Sequence, residues 1–220
     1  MRVAISSTTG LDRKGLIDCF IVNWPVYEKL EPWKQVIKDN VGTSQLTLNK
    51  KMLHEMRDSG RKYGRDDSVI FNRCALDVMA YIMWGYTKDP DLYSEEYVDE
   101  CIDIFKEALK YIDIIFYMPL SQSSGNLDQP KNVKDIDNCF KFLEREYNKK
   151  KSEFFIHDNR PALIELIGGI EQQVHIIKLS LDDDGSCSED SDQILPPELL
   201  KMVGAETLDV KGEINNLLKD

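Results

Sequence analysis

The chain opens with Arg2-Val3-Ala4-Ile5-Ser6, followed by Ser7-Thr8-Thr9-Gly10-Leu11-Asp12-Arg13-Lys14-Gly15, and this stretch decides the fold. Its apolar first part is typical of a short buried strand. Beyond its polar second part, Leu16, Phe20 and Trp24 recur at the spacing of one helix face, which predicts a helix. The polar residues therefore form a loop that leads from a buried strand into a helix.

That loop falls where a phosphate-binding P-loop, Gly-x-x-x-x-Gly-Lys-[Ser/Thr], would stand. In this motif the glycines let backbone N–H groups close around phosphate, the lysine reaches the β- and γ-phosphates, and the hydroxyl holds Mg²⁺. When the strand and helix fix the register, Ser7 and Asp12 take the glycine positions, Arg13 the lysine position and Lys14 the hydroxyl position. The sequence thus predicts the shell of a P-loop without its phosphate-binding residues.

A register shifted by one residue, with Lys14 as the lysine, is the alternative. Gly10 and Gly15 support it, because they keep a Gly-x-x-x-x-Gly spacing. Against it, one residue turns the side chain by about 100° around the helix, away from the phosphate. Hydroxyls and N–H groups at a helix N-terminus can still attract an anion. If the loop binds ATP and Mg²⁺, the residues that would hold the nucleotide are Thr8, Thr9, Gly10, Asp12, Arg13, Lys14 and Gly15.

The composition excludes several classes of function. A length of 220 residues with 42% hydrophobic content suits one α/β domain with a large core. The net charge of −11 repels nucleic-acid phosphate and favours a basic protein partner. We find no charged-then-apolar leader and no apolar run near ~18 residues, so we expect a cytoplasmic protein that does not span a membrane.

The cysteines and histidines indicate neither disulfides nor a metal site. The five cysteines are an odd number without Cys-x-x-Cys spacing, which is typical of reduced cytosolic thiols. The three histidines lie far apart, and none pairs with a cysteine at the spacing of metal ligands.

Apolar runs alternate with helical patterns along the chain, which predicts βαβ units. The fold expected is a three-layer α/β/α sandwich with a parallel sheet of about five strands. The runs that predict strands lie at 3–6, 69–71, 112–117 and 162–167, and the helical patterns at 48–62, 73–84, 94–111 and 133–150.

Two segments interrupt this alternation. Residues 121–131 are polar and turn-rich, which predicts a lid-like loop within a domain at 1–180. Residues 182–192 are a low-complexity acidic run, so 181–220 are expected to be an acidic linker with a C-terminal helical segment.

Three further motifs follow the loop in order. They are Ile70-Phe71-Asn72-Arg73-Cys74-Ala75-Leu76-Asp77, Asp113-Ile114-Ile115-Phe116-Tyr117-Met118-Pro119-Leu120, and Pro161-Ala162-Leu163-Ile164-Glu165-Leu166 with Gly168. Together with the first strand they resemble the P-loop nucleoside/nucleotide kinase-like (AAA/NTPase-type) proteins found mainly in bacteriophages. The resemblance covers roughly residues 1–180. It implies transfer of the ATP γ-phosphoryl group, with Mg²⁺, to a nucleoside, nucleotide or nucleobase-linked hydroxyl.

The chain departs from this family where the chemistry resides. Asn72 replaces the acid of the Asp-Arg pair, and the lid segment 125–127 lacks the arginine that would clamp the transferring phosphate. Such an arginine alone can be worth ~10³ in rate. Gln173 stands where the family has an arginine facing the nucleotide, whereas Arg73 and Asp77 are retained.

Three hypotheses remain from the sequence. The first is a pseudoenzyme, a kinase fold kept as a module that binds another protein. The second is an active kinase, with Arg13 and Lys14 on phosphate, Arg73 on substrate and Asp77 as a carboxylate. The third is nucleotide binding without turnover.

Overall fold

The computed structural model describes residues 1–8, 11, 13–120, 131–156 and 160–181. Within them a five-stranded sheet has the order β2-β3-β1-β4-β5, and every pair is parallel. The strands are β1 (Arg2–Ser7), β2 (Glu28–Leu30), β3 (Val69–Asn72), β4 (Ile114–Met118) and β5 (Ala162–Glu165). The helices are α1 (Arg13–Asn23), α2 (Pro32–Asp39), α3 (Gln45–Arg61), α4 (Ala75–Lys88), α5 (Glu95–Leu109), α6 (Lys131–Tyr147) and α7 (Ile170–Ser180).

The helices cover both faces of the sheet. Ala4 of β1 belongs to the large buried cluster to which α3, α4, α5 and α6 contribute. Its neighbours Val3 and Ile5 are fully buried outside that cluster. Successive side chains of a strand point to opposite faces of the sheet. Val3 and Ile5 therefore lie on the face opposite to Ala4, where α1 packs against α7. The predicted α/β fold with a parallel sheet of five strands is confirmed.

Burial on both faces explains which strands the sequence revealed. β1, β3 and β4 are buried along their whole length, so they read as continuous apolar runs. β2 is a three-residue edge strand, Glu-Lys-Leu, and no apolar run in the sequence indicated it. The predicted bounds also shift: the run at 112–117 becomes a strand at Ile114–Met118, and the helix predicted to start at 73 begins at Ala75 and extends to Lys88.

Cys19, Cys74, Cys101 and Cys139 are free thiols, whereas Cys187 lies outside the described residues. No helix in the described ranges is long and apolar enough to cross a membrane. The lid-like loop predicted at 121–131 lies outside the described residues except for the backbone of Lys131, and so does nearly all of the predicted C-terminal segment.

Candidate functional site

The carboxyl ends of β1 and β3 meet at one edge of the sheet, where α/β proteins bind ligands. The parallel register pairs Ile5 with Asn72, so the residues that follow each strand emerge side by side. The backbone N–H of Arg73 donates to the carbonyl oxygen of Ile5 at 3.1 Å, which fixes this junction. The end of β1, from which the predicted loop starts, therefore lies beside the Asn-Arg motif.

Asp77 ties these two junctions to each other. Its Oδ2 accepts hydrogen bonds from the Ser6 hydroxyl at 2.8 Å and from the Cys74 backbone N–H at 2.9 Å. Its Oδ1 accepts from the Ser7 N–H at 3.3 Å and from Arg13 Nη1 at 3.2 Å. The side chain is only 1% exposed. Asp77 thus caps the start of α4 and holds the end of β1, and both of its oxygens already have partners.

Arg13, the first residue of α1, turns its guanidinium inward onto the same network. Nε donates to Asn72 Oδ1 at 2.8 Å, and Nη1 donates to the hydroxyl of Ser7 at 2.9 Å in addition to its ion pair with Asp77. Burial lowers the pKa of Arg13, and the facing Asp77 carboxylate opposes that effect. The side chain that stands at the lysine position is therefore engaged by the protein's own oxygens.

Asn72 links this network to a carboxylate that the sequence reading missed. The side-chain Nδ2 of Asn72 donates to Glu31 Oε1 at 2.5 Å, and the backbone carbonyl oxygen of Asn72 accepts a hydrogen bond from the indole N–H of Trp33 at 2.7 Å. Burial would raise the pKa of Glu31, but hydrogen bonds from Lys34 and Asn72 outweigh it and the pKa is lowered. Glu31 follows β2 directly, so missing that strand meant missing this residue.

Arg73 adopts a strained backbone. Its φ of +81° lies in the left-handed region, which costs a residue other than glycine about 1–3 kcal/mol. Its guanidinium carbon lies 5.1 Å from the centre of the Trp33 ring. Two side-chain atoms in this region, Arg73 Nε and Thr8 Oγ1, are buried without a hydrogen-bond partner among the described residues.

The structure brings Arg13, Arg73 and Asp77 close together at the carboxyl ends of β1 and β3. Lys14 is exposed on α1, while Gly15 is half-buried there. Gln173 is buried on α7, and its amide donates to the Gly168 carbonyl at 3.0 Å. The remaining predicted positions, Thr9, Gly10, Asp12 and the lid segment 125–127, lie outside the described residues.

Mg²⁺ does not fit the three described oxygens that converge on Arg13. The ion requires near-octahedral oxygen ligands, with carboxylates and substrate phosphates at about 2.0–2.1 Å. Here Asn72 Oδ1, Ser7 Oγ and Asp77 Oδ1 all accept hydrogen bonds from one guanidinium, which already places a positive charge among them. No cluster of three or more His, Cys, Asp or Glu side chains that could hold a metal occurs in the described part of the chain.

No family model matches the chain, and neither does any curated protein. Solved structures of deoxyadenosine kinase from M. mycoides are similar in fold. The structure with bound dATP has a TM-score of 0.54 at 14% identity, covering 80% of this chain and 97% of that one. The structure with the products dCMP and a flexible dCDP has a TM-score of 0.53 at 14% identity, covering 80% and 96%. At this identity the likeness shows only that the chain shares its fold with these kinases.

Proposed function

We propose that this protein is a catalytically degenerate P-loop nucleoside kinase-like protein that acts as a protein-binding or scaffold module. The observation that carries the proposal is the engagement of Arg13. Its guanidinium donates hydrogen bonds to Asn72, Ser7 and Asp77, so the protein's own oxygens occupy the donors that a phosphate would need.

Phosphoryl transfer depends on positioning and on positive charge placed where the migrating group develops negative charge. To serve that role Arg13 would have to leave Asp77, and breaking a buried ion pair costs about 3–5 kcal/mol. If nucleotide binding had to supply this free energy, the affinity for the nucleotide would fall by a factor of roughly 10² to 10⁴. Asn72 offers an amide where an acid would anchor the metal, and Asp12 brings bulk and negative charge to a glycine position of the P-loop motif.

Transfer of labelled γ-phosphate from ATP, with Mg²⁺, to a panel of nucleosides and nucleotides tests the loss of activity. We expect no transfer by the wild type. A combined variant, Ser7→Gly, Asp12→Gly, Arg13→Lys and Lys14→Thr with Asn72→Asp, restores the motif residues and is expected to gain activity from nothing. Asn72→Asp alone is the control, since it leaves Arg13 in place. Turnover by the wild type would contradict the proposal.

The partner we infer is a basic protein, because a net charge of −11 attracts positive surfaces. The resemblance to phage proteins supports a phage-encoded chain acting in the host cytoplasm. A complex captured from infected cells is expected to weaken steeply between low and physiological salt, as screening requires. A complex indifferent to salt would rule out this charge-driven binding.

An active kinase is the second candidate, and Glu31 is the observation that favours it. Its carboxylate is 23% exposed at the carboxyl end of β2. A carboxylate in that place could accept a proton from a substrate hydroxyl. If the wild type turns over, Glu31→Gln is expected to reduce the rate by roughly 10²–10⁴. An unchanged rate in Glu31→Gln would exclude this role.

A further inference from the structure

Among the residues that the structure describes, the network around Arg13 leaves one cation of this edge, Arg73, without a counter-charge. We propose that this edge of the sheet binds a phosphate-bearing ligand without a divalent metal ion, with Arg73 as the group that meets the phosphate and Arg13 in the place of the metal. The inference deepens the proposed function, on which it rests, by naming the class of ligand that the inactive site retains.

Arg13 supplies the charge that a metal would otherwise bring. Three oxygens of different residues, an amide, a hydroxyl and a carboxylate, converge on its guanidinium. Such a mixed oxygen set would suit a cation, and the guanidinium fills it through the protein itself. A divalent ion placed there would face the repulsion of a buried guanidinium whose side chain is 11% exposed.

The charges nearby do not cancel. Asp77 is paired with Arg13, and Glu31 is paired with Lys34. Arg73 has no ion pair or side-chain hydrogen bond within the described residues, yet it lies close enough to Arg13 for its charge to lower that residue's pKa. Among the described residues here, Arg13 and Arg73 are neighbouring guanidiniums and Asp77 pairs with Arg13 alone, which leaves a surplus positive charge. An anion removes that surplus, whereas Mg²⁺ would add to it.

Arg73 is also held ready for a ligand. The Trp33 ring supports its guanidinium, and the strained φ of +81° fixes the backbone that carries it. Strain of this kind persists where the surroundings impose it and clusters at ligand-binding sites. Nε is buried without a partner in the described part of the chain, so one donor remains available.

Thr8 offers a second unsatisfied group. It directly follows β1, whose register places its end beside the end of β3, after which Arg73 stands. Thr8 is 1% exposed, and its Oγ1 has no partner among the described residues. A buried hydroxyl without a partner is unfavourable, and a phosphate oxygen would supply the missing hydrogen bond.

Calorimetric titration of the full chain with ATP, once in EDTA and once in excess Mg²⁺, tests the inference. We expect ATP to bind in EDTA with an affinity equal to or higher than that in Mg²⁺, and adenosine to bind at least about tenfold more weakly, since it lacks the charge-assisted phosphate contacts. Arg73→Gln is expected to weaken ATP binding about tenfold or more. Lys38→Gln, which removes an exposed positive charge of α2, is the matched control and is expected to change little.

Binding that requires Mg²⁺ would overturn the inference, and so would equal affinity for adenosine and ATP. If Arg73→Gln does not fold, the wild-type comparison between EDTA and Mg²⁺ still decides, and Arg73→Lys preserves the charge for a second comparison. If ATP does not bind at all, this inference is wrong, but the proposal that the protein is catalytically inactive is unaffected. Mg²⁺-dependent turnover sinks the proposed function itself.

Discussion

Replacing Asp77 by asparagine removes one negative charge from the centre of the network and keeps its shape. In the variant the Arg13 guanidinium stays buried without its counter-charge, and the new amide N–H₂ faces groups that are themselves donors. The contacts at stake are the four hydrogen bonds that Asp77 accepts from Ser6, Ser7, Cys74 and Arg13.

The structure sets the size of the effect. The two charged side chains are 1% and 11% exposed, so solvent screens them little. Removing one partner of such a buried pair costs about 3–5 kcal/mol of unfolding free energy. At about 2–4 °C per kcal/mol for a chain of this size, the melting temperature falls by ~6–20 °C.

Urea and thermal unfolding of wild type, Asp77→Asn, Arg13→Met and the double variant measure this prediction. The double variant is expected to lose less than the sum of the single losses, because it leaves no unpaired charge. Asp18→Asn is the control: its ion pair with Lys29 is 55% exposed on the aspartate side, so it should cost less than about 1 kcal/mol. A loss below about 1 kcal/mol for Asp77→Asn, or simple additivity in the double variant, would refute the reasoning.

Three further substitutions test the surrounding fold. Burial, and next repulsion from Glu165, raise the pKa of Glu144, so its contribution to stability is complete while the carboxyl is protonated and is lost as the pH rises through the raised pKa. Glu144→Gln should therefore increase the free energy of unfolding at pH 7, measured with urea. A stability gain that persists below about pH 4 would contradict this reasoning. Gly85→Ala should cost roughly 1–3 kcal/mol, since the new Cβ would lie 2.3 Å from the buried Tyr93 ring; an unchanged melting temperature would show that the ring yields. Ser94→Ala should cost about 1 kcal/mol by removing the N-cap hydrogen bond of α5, with no change in urea midpoint as the contrary result.

The sequence could predict those strands and helices whose burial requires a recognisable pattern of apolar residues. β1, β3 and β4 are enclosed by helices on both faces, so every position along them is selected to be buried. Ser94 indicated the start of α5 because an N-cap depends only on a local hydrogen bond. Here the Ser94 hydroxyl accepts that bond from the backbone N–H of Tyr97. β2 left no such mark, since a short edge strand needs neither an apolar run nor a cap.

The site was predictable only in part. Register alone placed Arg13 at the lysine position and put Asn72 and Asp77 at the facing strand and helix. It could not reveal that these side chains bind one another, because Arg13 and Asp77 are 64 residues apart and their contact depends on the packing of α4 against β1. From the sequence, Asp77 is a carboxylate of the site if the protein is an active kinase; the structure adds that Asp77 caps α4 and that both of its oxygens accept hydrogen bonds.

Nitrogen-15 NMR of the Arg13 side chain tests the central claim most directly, because that claim concerns one guanidinium and its partners. The Nε–H signal is assigned by its loss in Arg13→Lys. We predict slow exchange of this proton with water, reflecting its 2.8 Å hydrogen bond to Asn72, and no loss of that protection in millimolar Mg²⁺ with ATP. A signal that exchanges freely, or one that Mg²⁺ and ATP release from protection, would contradict the account.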